Sequence, residues 1–327
     1  MNLKLLIPVY FLLTIVLSTC TNTSQKESFK PPAIKKLGTI DTDLVETSPV
    51  VFNGKLYRFE YVRTKYEHNK TNDSYLRFID HESGEATPSF GKGFHLGSAF
   101  VFNDTAYVTA VDSWGGEHIA MFVSSDLVNW EQRSVLDLYG YKIYNTSLCK
   151  ADNRYVLMYE IGDPPEEAGQ RFTARFAISK DLINWKVTPP ECNYAKDRYT
   201  APHALRYLNG YYYDFFLEAK GDYETYETYV VRSRDLIQWE ASSLNPVLKA
   251  SDEDKKIANP GLSAKQKQKI AEANNLNNSD IDFCELNGKL IINYSWGDQL
   301  GTEFLAEAVY DGTLKEFLEG WFPDIED

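Results

Sequence analysis

Three polar residues stand at matching points along this chain. Glu46, Asn145 and Asp280 each lie eight residues before the second residue of a tight-turn pair, at Gly54, Asn153 and Gly288. Around these points cluster His95, Arg198, Tyr199, Thr200, His203 and Asp282. A second set follows each turn after a further run of apolar residues: Arg63, Asp112, Trp114, Glu160, Asp163, Arg171, Glu218, Trp296, Asp298 and Glu303. Brought together, such groups suit cleavage of a glycosidic bond. One carboxylic acid must protonate the leaving oxygen while one carboxylate activates water or attacks carbon. Crowding like charges in a partly dry funnel raises the pKa of one member and so creates the acid.

The elements that must position these residues are repeats. An apolar strand, a tight turn and an aromatic-rich strand recur around Asn53-Gly54, Asn103-Asp104, Asp152-Asn153, Asn209-Gly210 and Asn287-Gly288. Asn-Gly between such runs signals a two-residue hairpin, because both residues tolerate positive φ. The second turn residues are 50, 49, 57 and 78 positions apart. A second phrase, Ser-x-Asp-Leu-x-x-Trp, recurs from Ser124, Ser179 and Ser233. Its Ser and Asp can bond the backbone of a turn, so it reads as a structural clasp.

Five units of roughly 50 residues with about four short strands each predict an all-β, five-bladed β-propeller with four-stranded antiparallel blades. Blades one and five lack the clasp and are expected to supply the ring closure. Ser263-x-x-Gln266 is a capping box that predicts a short helix over 264–273, a helical insertion before the last blade. In a propeller the first strand of each blade lines the axis, so the strand-one entries and strand-two exits open on one face. The clasps fall on the other.

Outside the repeats, Lys4 precedes an apolar run from Leu5 to Leu17 that is too short to span a bilayer comfortably. Leu17-Ser18-Thr19-Cys20 then resembles a lipobox. Residues 1–19 are read as a lipoprotein signal peptide, Cys20 as the lipidation site, 20–39 as a tether and 40–327 as the propeller. The expected location is an outer-membrane or cell-surface lipoprotein, held by a lipid anchor and facing the periplasm or exterior. The formal net charge of −13 excludes a nucleic-acid partner, whose binding needs Lys and Arg on phosphates. Cys149, Cys192 and Cys284 form no Cys-x-x-Cys or His/Cys cluster, so no metal site is predicted. Cys149 and Cys284 sit in apolar strand contexts and are expected in the core.

These features resemble the five-bladed propeller glycoside hydrolases of the arabinanase/β-xylosidase, invertase and anhydrogalactosidase type. The likeness covers residues 40–322 and rests on the blade phrase, the three clasps and the ending Tyr294-SWGDQLGTEFLAEAVYDG. It implies an Asp base at the entry of blade one, where Glu46 fits the register. It implies an acid in a Glu-Gly-Pro phrase at the entry of blade four, where this chain has Thr200-Ala201-Pro202. A tuning Asp is implied at the entry of blade three, where Asn145 stands. Two of three carboxylates are thus replaced, and the acid is open among His203, Glu160 and Asp280, with Glu218 a further donor.

His95, Trp114, Asn145, Arg171, Arg198, Tyr199, Glu218, Asp282, Trp296 and Asp298 are the candidate substrate-binding residues. The expected function is exo-acting hydrolysis of a plant or algal oligosaccharide. The rival readings are a non-catalytic sugar-binding lipoprotein of a glycan-uptake system, and phosphorolysis using Arg63, Arg171 and Arg198. Some related propellers hold a Ca²⁺ on the axis. No calcium loop occurs here and no cofactor is expected.

Overall fold

The structure, a computed structural model, describes residues 29–63 and 73–323. The proposed signal peptide and Cys20 lie outside the described residues. Strand β1 (Lys35–Thr42) opens the chain but belongs to the last blade. Blade one is β2 (Thr47–Phe52), β3 (Lys55–Val62) and β4 (Tyr75–Asp80). Blade two is β5 (His95–Phe102), β6 (Thr105–Val111), β7 (His118–Ser124) and β8 (Glu131–Asp137). Blade three is β9 (Lys142–Ala151), β10 (Arg154–Asp163), β11 (Thr173–Ser179) and β12 (Trp185–Val187), with helix α1 (Pro165–Ala168) between β10 and β11. Blade four is β13 (Thr200–Leu208), β14 (Tyr211–Lys220), β15 (Thr225–Ser233) and β16 (Trp239–Ala241). Blade five is β17 (Ser279–Leu286), β18 (Lys289–Gly297) and β19 (Glu303–Tyr310), with β1 as its outer strand.

The propeller read from the repeats is therefore present, with two adjustments. Blade one has three strands; its outer edge is reduced to single bridges from Leu76 to Phe90 and Ile79 to Ala86. Residues 35–39, read as the end of a tether, form the start of β1. They pair with β19 from Lys35–Val309 to Thr42–Phe304, and so close the ring with the two ends of the chain. Trp296 fastens this closure: its Nε1 donates to Thr39 Oγ1 at 2.9 Å. Gly38 lies where β1 meets the insertion, at φ 115°, and a Cβ there would stand 2.3 Å from Lys256 O. Gly38→Ala is therefore expected to destabilise the protein by roughly 2 kcal/mol or more, read as a lowered thermal midpoint.

Four of the five hairpins carry the expected positive φ: Asn53 and Gly54, Asn103 and Asp104, Asn209 and Gly210, Asn287 and Gly288. Asp152-Asn153 turns without one. The helix forms as α2 (Ala264–Glu272) under its capping box, with Gln266 N bonding Ser263 Oγ at 3.3 Å. A last helix, α3 (Leu314–Gly320), packs Phe317 against Phe215 and Phe283.

The clasps are three copies of one geometry. Leu127, Leu182 and Leu236 N each donate to the clasp Ser Oγ at 2.9 Å. Asp126, Asp181 and Asp235 each take two backbone N–H groups from the residues two and three positions on. The Leu residues adopt φ of 60°, 62° and 66° and turn inward to be buried. The core lies between blades rather than within them; Phe59, Phe78 and Val108, for example, join blades one and two. Cys149 and Cys192 are buried, whereas Cys284 is half-buried.

Candidate active site

The first strands β2, β5, β9, β13 and β17 pack against one another around the axis. Between them runs a narrow polar channel of about 40 Å³, lined by Ser48, Ser98, Ser147, His203 and Asp282 among others. At their entry ends it meets a pocket of about 230 Å³. Glu46, Asp280 and Glu303 line this pocket with Arg63, Asn145, Trp114 and Tyr199. The residues span all five blades apart from the entry of β5, and positions far apart in sequence converge as the repeat requires.

The entry ends carry irregularities that strict alternation would not give. The register shifts between His95 and Ser98, between Thr146 and Ile143, between Thr200 and His203, and between Ser279 and Asp282. Each extra residue lets consecutive side chains face the same space, a common use of bulges beside functional sites. Tyr144 and Asn145 both line the pocket for this reason, as do Ala201 and Pro202, and Ser279 and Asp280. Asp280 itself sits at φ 52°.

Three carboxyl groups dominate the pocket. Glu46 Oε2 accepts from Arg63 Nη2 at 3.2 Å. Arg63 stands over the Tyr61 ring, and Tyr61 OH meets His95 Nδ1 at 2.6 Å. His95 thus lies beneath the pocket wall and braces it; burial, then Arg63, lowers its pKa. Asp280 accepts from Ser279 Oγ at 2.5 Å. Burial, then the charge of Glu46, holds the Asp280 carboxyl well above its ordinary pKa. Glu303 accepts from Gln299 N at 2.8 Å and Asn277 Nδ2 at 3.2 Å. Burial outweighs those bonds and pushes its pKa up to about 7.

Trp114, Tyr144, Phe172 and Tyr199 form a continuous aromatic wall. Successive ring centroids are 5.7, 4.7 and 5.6 Å apart, all edge to face. Tyr144 and Phe172 escaped the sequence reading. Tyr144 has the wrong parity until the bulge is known, and Phe172 lies in the loop after α1. Glu303 was visible as a strand exit but had no assigned role.

Other expected residues lie elsewhere. His203 is buried beside the channel, with Nδ1 2.8 Å from Asp214 Oδ2 and Nε2 2.7 Å from Thr200 O. Burial disfavours its imidazolium, but Asp214 and Glu160 outweigh this and raise its pKa. With both nitrogens engaged inside the protein, the ring has no proton to offer a sugar. Glu160 is fully buried below the pocket, where Asn145 Nδ2 donates to its Oε2 at 3.0 Å. Burial pushes its pKa up to about 8, only partly offset by His203 and Asn145.

Trp296 is fully buried, stacked on Phe304, and shows no face to the pocket. Arg198 pairs with Glu218 and Asp197, and Glu218 also with Lys220, outside the pocket. Arg171 is exposed over Phe172. Asp298 accepts from Leu300 N and Thr302 N and so shapes the loop that presents Gln299 and Gly301. Asp282 faces the channel and is paired with Arg206. The three arginines considered for phosphate therefore do not assemble, since only Arg63 reaches the pocket. In the axial channel Asp282 is tied to Arg206 and His203 to Asp214. Among the described residues no group of three or more His, Cys, Asp or Glu side chains could hold a metal ion.

The buried Glu160 makes stability depend on pH. Between about pH 4.5 and 8 the unfolded chain has released this proton and the folded chain has not, so stability falls as pH rises through that window. Glu160→Gln is expected to flatten this fall in thermal melts and to stabilise the protein relative to wild type at pH 8.

The same architecture is found in solved enzymes. The fold is that of the five-bladed propeller glycoside hydrolases. The propeller superposes on the α-L-arabinofuranosidase PaAbf62A of Podospora anserina, solved with cellotriose, with a TM-score of 0.58 at 9% identity, covering 87% of this chain and 99% of that one. It superposes on the α-L-arabinofuranosidase Arb93A of Fusarium graminearum, solved with an iminosugar inhibitor, with a TM-score of 0.54 at 12% identity, covering 89% and 99%. For the α-L-arabinanase of Penicillium chrysogenum, solved with arabinobiose, the TM-score is 0.53 at 12% identity, covering 86% and 99%. No protein-family model and no curated protein sequence matches the chain.

Proposed function

We propose that this protein is a glycoside hydrolase that removes single sugar units from the end of an oligosaccharide. The observation that carries the reading is the convergence of Glu46, Asp280 and Glu303 on one pocket, two of them with raised pKa. Thr200 and Asn145 left the expected carboxylates missing from blades three and four. Blade five supplies two in their place.

In this scheme Asp280 is the general acid. It is partly accessible, whereas Glu303 is nearly enclosed with both oxygens already accepting hydrogen bonds. A raised pKa keeps a proton on Asp280 for the leaving oxygen. Glu46, steered by Arg63, is the opposing group, acting on water or directly on the anomeric carbon. Glu303 tunes Asp280 through its charge. The aromatic wall offers apolar faces to the sugar, and Asn145, Arg63 and Gln299 offer polar groups to its hydroxyls.

A volume of about 230 Å³ falls below the roughly 300–1,000 Å³ of pockets that enclose drug-sized ligands, and it suits one monosaccharide unit. The neighbouring structures are two α-L-arabinofuranosidases and an α-L-arabinanase by name, and they support the reaction class through the shared fold. The leader over residues 1–19 is proposed to export the protein, and lipid on Cys20 to anchor it to a membrane. The test is incubation of the purified protein with a panel of plant and algal oligosaccharides, followed by product analysis. Release of a monosaccharide is expected. Calorimetric binding of a glycan that is never cleaved would instead support a purely binding role.

A further inference from the structure

The entry point of the chain fixes which way the pocket faces. Strand β1 runs antiparallel to β19, with Lys35 opposite Val309 and Thr42 opposite Phe304. Glu303, at the start of β19, lines the pocket. Lys35 therefore lies at the opposite face of the disc, and whatever precedes it is attached there. Fourteen residues separate Cys20 from Lys35, so even fully extended the segment reaches only about 50 Å.

That same face carries the three clasps, since β7, β11 and β15 run in the direction of β19 within their blades. At the tip of each clasp stands an exposed aliphatic residue: Val128 (50% exposed), Ile183 (64%) and Ile237 (51%). The inward turn of Leu127, Leu182 and Leu236 is what throws the following side chain out. Nothing in the clasp chemistry needs an apolar residue there. The backbone N–H of each tip residue bonds the Asp carboxylate, and its side chain takes no part. Lys180 and Arg234 stand three residues before two of the tips, with Asp181 and Asp235 between.

We propose that this face is a membrane seat: Val128, Ile183 and Ile237 dip into the interface of the bilayer that holds the anchor, and the pocket faces away from it. The proposal rests on the reading of Cys20 as lipidated. Three aliphatic tips alone would bind a bilayer weakly, since the binding scales with the apolar area removed from water. A short tether changes this by holding the face at high effective concentration against the surface, so weak contacts suffice to orient the disc. The catalytic face is then presented to soluble glycan rather than to lipid.

Trp130, Trp185 and Trp239 close the three clasps and report on the seat. The experiment uses the full chain, lipidated and reconstituted into vesicles of phosphatidylethanolamine and phosphatidylcholine brominated near the headgroup. Mass spectrometry of the Cys20 peptide establishes lipidation first. Tryptophan emission is expected to be quenched relative to unbrominated vesicles. The triple variant Val128→Ser, Ile183→Ser, Ile237→Ser should lose most of that quenching while keeping its lipid and its activity on soluble substrate. A lipidated protein that shows no quenching, or the same quenching in the triple variant, overturns the seat and leaves the anchor standing. Absence of lipid on Cys20 overturns the anchor and the seat with it.

Discussion

Glu46→Gln is expected to lower kcat/KM by about 10²–10⁴-fold while leaving KM and the fold nearly unchanged. The amide keeps the size of the side chain and can still accept from Arg63, so the pocket keeps its shape. What it loses is the ability to take a proton or attack carbon. A change confined to kcat marks a group that acts in the transition state rather than one that only holds the sugar. The fold should tolerate the change because Glu46 is partly accessible and its loss also relieves repulsion on Asp280 and Glu303. Steady-state product formation beside a thermal melt measures both. Full activity in the variant would remove Glu46 from the chemistry.

The second large effect is on pH dependence. In the proposed scheme Asp280 acts as the acid and must be protonated, so on its account kcat/KM should fall as pH rises through its pKa. That pKa is raised by burial, by Glu46 and, further down, by Glu303. Removing the Glu303 charge favours the ionised form of Asp280. Glu303→Gln should therefore move the alkaline limb of the profile to lower pH. Asp280→Asn should abolish the limb together with most of the activity on substrates whose leaving group needs a proton. Substrates with an activated phenol leaving group need less help and should be spared in part. A limb that stays in place in Glu303→Gln would mean that another group sets it.

How far the sequence led depended on what each feature obeys locally. The hairpins were legible because Asn-Gly pairs satisfy a backbone requirement that few other residues meet. The clasps were legible because Ser and Asp at fixed offsets can only serve a turn. Together they gave the blades and their number, and with them the face on which Glu46, Asn145 and Asp280 would meet. The closing strand was missed because 35–39 is short and polar at its start, and its partner β19 lies more than 260 residues away.

The site was less legible for two reasons. Bulges at four of the strand entries break the alternation from which side-chain direction is read, which hid Tyr144 and placed Ala201 and Pro202 at the wall. Burial was also invisible. His203 and Trp296 have the right types and positions for a pocket, yet both are enclosed by partners that position alone does not reveal, Asp214 on the neighbouring strand for one and the distant Thr39 for the other. Glu303 shows the reverse. Its role follows from a desolvated carboxyl beside two others, a property of the assembled ring and not of its own strand.

The most direct test of the catalytic arrangement is a crystal structure of Asp280→Asn soaked with the oligosaccharide that the panel identifies. The terminal sugar should occupy the pocket beside Trp114 and Tyr144, with its anomeric carbon between Glu46 on one side and position 280 on the other. A sugar whose anomeric carbon faces neither residue, or one bound outside this pocket, would contradict the account.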